Sequence, residues 1–96
     1  MIVSWRDDWL RHFFESDKRS RRIPSNIEDR LFRRLQIIDD ATCDADLRVP
    51  PGNHFEKLSG TLANCHSIRV NLHWRLIFRW NGSEASDLYL DDHSYR

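Results

Sequence analysis

The chain has 96 residues, with 15 basic and 15 acidic side chains and a formal net charge of zero. That length suits one domain around one core, and 40% hydrophobic residues with three Gly and three Pro exclude a disordered chain. Zero net charge argues against a protein that coats nucleic acid without specificity, yet leaves room for a site where charge is concentrated locally.

Residues 1–5 are a short β-prone run and predict a first strand. The opening "MIVSWRDDWL" has no long apolar stretch and turns acidic at Asp7 and Asp8, so no signal peptide or membrane span is expected, and a cytoplasmic location is. Trp9 with Phe13, and Leu10 with Phe14, then repeat at helical spacing, with the two aspartates at the positive end of the helix dipole. A basic linker follows (Lys18, Arg19, Arg21, Arg22) and stops at Pro24; it is either simply solvated or in reach of phosphates.

The spacing Ser25-x-x-Glu28 is a capping box and predicts a second helix starting there. Ile27, Leu31, Leu35 and Ile38 form its buried stripe, with Arg30, Arg33 and Arg34 outside it. "TCDADLRVPPGN" reads as a loop or short turn, kept from propagating by Pro50, Pro51 and Gly52. Cys43 and Cys65 lie in no CxxC pattern and read as reduced thiols.

The last third is strand-like: "HFEKLSG", "HSIRVN", "WRLIFRW" and "DLYLDDH". The order is therefore β-α-α followed by antiparallel strands, an α+β domain over residues 1–96. In "HSIRVN", Ile68 and Val70 point one way and Ser67, Arg69 and Asn71 the other; in "WRLIFRW", Trp74, Leu76, Phe78 and Trp80 share the apolar face, opposite Arg75, Ile77 and Arg79. Core must meet core, so a three-residue loop at 71–73 is expected, which puts Arg69 directly across from Arg75. Parity at the Asn81-Gly82 turn favours a second three-residue loop, 81–83, with Arg75 beside Tyr89. The polar face would then collect Arg69, Arg75, Arg79, Tyr89, Asp91 and His93.

Like charges placed opposite one another cost up to ~1 kcal/mol, which a fold tolerates if the arginines splay into water. Alternatively an anion belongs between them, and phosphate suits the planar guanidinium fork. A histidine beside acidic residues adds a group able to move protons near neutral pH. His12 reads as surface, His66 as partly buried and His73 as a turn residue; none has a partner at zinc-site spacing, so neither metal nor cofactor is expected.

The ordered set "PPGN", "F-E-x-L-x-G", "SIRVN", "WRLIF-x-W" and a terminal acidic-x-His resembles the HigB toxins of bacterial toxin–antitoxin systems, within the RelE/ParE superfamily, over nearly the whole chain. The resemblance implies a compact microbial-ribonuclease-type fold with two helices on one face of an antiparallel sheet. It also implies metal-independent cleavage of mRNA in the ribosomal A site by attack of the ribose 2′-OH on the adjacent phosphate, and a HigA-type helix-turn-helix antitoxin as partner. Arg69 and Arg75 match the family's sheet arginines, and Asp91 and His93 its acidic residue and final histidine, the catalytic set that the resemblance implies. Asp92 stands where the family carries Tyr. Glu56 and Ser59 occupy slots held by a His and a Lys in other members, with His54 and Lys57 close by. Lys57 is expected to contact phosphate, and His54, Asn71, Arg79 and Tyr89 to line the RNA path. Two other functions fit the same residues: a gyrase poison of the ParE kind, and a catalytically weak module that binds ribosome or antitoxin.

Overall fold

The computed structural model describes residues 1–92. Helix α1 (Asp8–Ser16) buries Leu10 and Phe13, and Trp9 and Phe14 pack against the same core. It ends where Asp17 turns left-handed at φ 54°, so that the Lys18 N–H donates to the His12 carbonyl at 3.2 Å and satisfies a terminal acceptor.

Helix α2 (Glu28–Asp40) carries the expected stripe: Ile27 just before it, then Leu31, Leu35 and Ile38, all at 1% exposure or less. Its entry differs from the capping box. Residues Ser25–Ile27 form a 3₁₀ turn, closed by the Ile27 N–H on the Pro24 carbonyl at 3.1 Å, and neither start has a side-chain cap. Glu28 is thus the first α-helical residue rather than the third, and its carboxylate lies 3.8 Å from Arg19 instead. The loop after α2 holds a single turn of helix, α3 (Asp44–Leu47), which buries Leu47.

Strands β1 (Glu56–Lys57), β2 (Cys65–Arg69), β3 (Arg75–Trp80) and β4 (Ala85–Asp91) form an antiparallel sheet in that order. Ile68, Leu76, Phe78, Leu88 and Leu90 on one face join the α1, α2 and α3 residues in one core, so the helices cover that face alone. The segment expected as a first strand pairs in parallel with β4 through Ile2–Ala85 and Trp5–Leu88 bridges. Trp80 Nε1 donates to Asp44 at 2.6 Å, tying β3 to α3.

The β2–β3 register is the expected one: Arg69 pairs with Arg75, and Val70 and Asn71 N–H groups both reach the Trp74 carbonyl around the 71–73 loop. Asn71 closes this turn, since its Oδ1 accepts from the His73 and Trp74 N–H groups at 2.8 Å each. We expect Asn71→Ala to destabilise the fold by about 1–2 kcal/mol through the loss of these bonds. A urea midpoint unchanged from the parent chain would refute that.

The β3–β4 register departs from the expectation. The loop spans four residues, 81–84, closed by Asn81 Oδ1 on the Ser83 and Glu84 N–H groups, and Trp80 pairs with Ala85. That register alone would turn Leu88 and Leu90 outward. A bulge between Ser86 and Tyr89, with Asp87 left-handed at φ 52°, restores the phase, so Ala85 and both leucines are buried. Arg75 consequently lies across from Asp91, and Tyr89 across from Ile77.

Candidate functional site

On the sheet face away from the helices, three ranks of side chains run across the strands. One rank is Arg69, Arg75 and Asp91; the next is Glu56, Ser67, Ile77 and Tyr89; the third is Cys65, Arg79 and Ser86. All follow from the two-residue period of a strand, which keeps alternate positions on one side.

Arg75 occupies the middle of the charged rank and is only 6% exposed. A charge so buried requires counter-charge. Asp91 is its cross-strand neighbour, and Glu56 Oε1 lies 3.5 Å from its Nη1. Arg69 Nη1 donates to His54 Nε2 at 3.4 Å, so His54 stands at the rim of the same rank. The Arg34 side chain on α2 donates to the Arg69 carbonyl at 3.1 Å and anchors the end of β2 to the helix. Burial, together with Arg30 and Arg33 nearby, pulls the Arg34 pKa below its ordinary value.

Leu58 and Ile77 are buried outside the main core, and Leu58, whose N–H donates to the Cys65 carbonyl, shares this face with Ile77. The Ser67 hydroxyl is fully buried among them. Neither Ser67 Oγ nor the buried Arg69 Nε has a hydrogen-bond partner among the described residues. A buried donor left unsatisfied costs about 1–3 kcal/mol, so this face carries polar capacity that its own side chains do not use.

The other sequence-predicted residues divide. Arg79 is on this face but paired to Asp87 at 3.4 Å beside the bulge. Tyr89 lies beneath Arg6, whose guanidinium carbon stands 3.5 Å from the ring centroid. Asn71 has its side-chain oxygen committed to the hairpin turn. Lys57 pairs across from His66 and so belongs to the helix-side face; Glu56, one residue earlier, takes the place expected of it. His93 falls outside the described residues. Sequence reasoning did not pick out Arg6 or the role of Glu56. The signal for Glu56 was strand phase, since it alternates in step with Ser67 once β1 is paired.

His66, on the helix-side face, stacks on Phe55 with ring centroids 5.1 Å apart. Burial pushes its pKa below the ordinary 6.5, helped by Lys57 and Arg48 and opposed by Asp44. The unfolded chain therefore binds a proton more readily than the folded one, and stability should fall as pH drops through 6.5. The expected result is a lower urea midpoint at about pH 5 than at about pH 7.5, a gap that His66→Gln narrows. An identical gap in the variant would remove His66 from the explanation.

Both cysteines are free. Among the described residues, no three His, Cys, Asp or Glu side chains gather as metal ligands, and no helix is long and apolar enough to cross a membrane.

Residues 3–93 match the family model described as HigB-like toxin, the RelE-like toxin of type II toxin–antitoxin system HigB. The chain is 53% identical over 95 residues to Toxin HigB-1 of Vibrio cholerae serotype O1, covering 99% of this chain and 100% of that protein. It is 42% identical over 91 residues to an uncharacterized protein of Haemophilus influenzae, covering 95% of this chain and 90% of that one.

Proposed function

Because this chain belongs to the HigB-like toxins of type II toxin–antitoxin systems, we propose that it acts as a ribosome-dependent endonuclease that cuts mRNA in the A site. One observation carries the reading: Arg69 and Arg75 oppose each other on the sheet face away from the helices, and one of them is almost buried. Two guanidinium groups held side by side match an anion that both can grip.

The reaction needs no group beyond side chains, water and the RNA. The ribose 2′-OH gives its proton to His93 and attacks the neighbouring phosphorus, the bond from phosphorus to the 5′-oxygen of the next nucleotide breaks as that oxygen takes a proton from water, and a 2′,3′-cyclic phosphate remains while His93 returns its proton to solvent. Arg75 and Arg69 stabilise the charge that grows on the non-bridging oxygens. Their fixed positions mean that little reorganisation is needed as the charge appears. His93 transfers a proton, with Asp91 orienting it, and Glu56 is a second carboxylate within reach of the same guanidinium as Asp91. His54, Arg79 and Tyr89 border the strand's path; Lys57 faces the other side and is not assigned to it.

Zero net charge and a shallow face give a flexible strand little independent affinity, so the ribosome supplies the positioning, an effect that can be worth several kcal/mol. Its antitoxin is a helix-turn-helix protein of the HigA type, and the setting is the cytoplasm. The test is 5′-end mapping of one mRNA, naked and on programmed ribosomes. New ends inside the A-site codon, on ribosomes only, are expected. Efficient cutting of naked mRNA would refute ribosome dependence. Growth arrest with no new end would move the reading to gyrase or to a binding module.

A further inference from the structure

We propose that Arg6 positions the substrate, using its planar fork to hold the RNA phosphate next to the one that is cut. The inference rests on the endonuclease reading and adds a residue and a subsite to it. Arg6 is brought to the arginine face by backbone pairing: its N–H donates to the Leu88 carbonyl at 2.9 Å, one residue after the Trp5–Leu88 bridge. Its guanidinium carbon then lies over the Tyr89 ring, 3.5 Å from the centroid. Tyr89 is two positions from Asp91 on β4, and Asp91 is paired to Arg75. The ring that Arg6 covers therefore lies one strand spacing, ~5 Å, across and two residues, ~7 Å, along from the position of Arg75, on the same face.

The contact with the ring restrains the guanidinium while leaving much of it exposed. Asp7 Oδ2 lies 3.6 Å from one of its nitrogens, and the Arg6 side chain is still 55% exposed. An exposed ion pair of this kind is weak, so a phosphate can replace the carboxylate at small cost. Because Arg6 already covers this face of the Tyr89 ring, that face is closed to a base, whereas the fork is open to an anion. A guanidinium already restrained by an aromatic ring also loses little freedom on binding. The chemistry called for is a phosphodiester, and phase and distance place it on the mRNA beside the reacting linkage.

Steady-state cleavage on programmed ribosomes tests this with the full chain. Arg6→Ala should raise KM by roughly ten-fold while kcat falls far less, and should flatten the dependence of log KM on log salt by about 0.7, one single-strand phosphate contact. Arg6→Lys keeps the charge without the planar guanidinium, so the salt dependence should be retained with an intermediate KM. An mRNA carrying one neutral methylphosphonate at the adjacent linkage should raise KM for the wild-type chain and have no further effect on Arg6→Ala. If the wild-type chain cleaves and Arg6→Ala leaves KM and salt dependence unmoved, this inference alone is overturned. It is also overturned if the two KM effects multiply, because Arg6 would then hold ribosomal RNA or a base. Absence of cleavage by the wild-type chain would overturn the endonuclease reading and this inference together.

Discussion

Arg75→Ala is expected to lower the rate of A-site cleavage by about 10²–10³-fold, the usual loss when one well-placed donor is removed from a developing oxyanion. The size follows from where Arg75 sits. At 6% exposure, between Asp91 and Glu56 and across from Arg69, its guanidinium is held in place before the substrate arrives. Folding should suffer less than activity. Removing the charge leaves Glu56 without this partner, but Glu56 is half exposed and can be solvated, and the repulsion from Arg69 disappears. The measurement is single-turnover cleavage on programmed ribosomes, with a thermal melt of the same preparation. Arg75→Lys should recover only part of the rate, since an ammonium cannot reproduce the two-pronged contact. A cleavage rate within about three-fold of wild type in the alanine variant would leave the arginine pair a structural role alone.

Phe78→Ala tests the other face of the same strand. Phe78 is fully buried and meets Trp80 edge-on, with centroids 6.2 Å apart, so truncation should cost about 3–5 kcal/mol. A domain of this size has about 5–15 kcal/mol in all, and the melting temperature should fall by more than about 12 °C. Activity should be lost with the fold, and regained on cooling. Arg75→Ala should instead stay inactive at every temperature at which it is folded. A Phe78 variant that melts within about 4 °C of wild type would mean that the core does not depend on this ring.

Much of the fold was legible in the sequence because it rests on short-range periodicity. The α2 stripe at Ile27, Leu31, Leu35 and Ile38 and the pairing of Arg69 with Arg75 both follow from one requirement, that apolar side chains share a face. A three-residue loop is the simplest link that meets it between β2 and β3. The family motifs lie along the same stretches, which is why the HigB resemblance was visible before any coordinate.

Tertiary structure decided the rest, at points where local pattern is degenerate. Alternation cannot tell a three-residue loop from a four-residue loop followed by a bulge, because each returns Leu88 and Leu90 to the core. The left-handed Asp87 chose the second, and so placed Asp91 rather than Tyr89 opposite Arg75. Glu56 entered the site instead of Lys57 because β1 has only two residues, too few for alternation to announce their phase. Arg6 reached the arginine-bearing face through pairing of the N-terminal segment with β4, a contact between residues 83 positions apart at Ser4 and Asp87. No sequence window contains both partners of such a contact; it forms because the free edge of β4 offers unpaired backbone groups that another segment must satisfy.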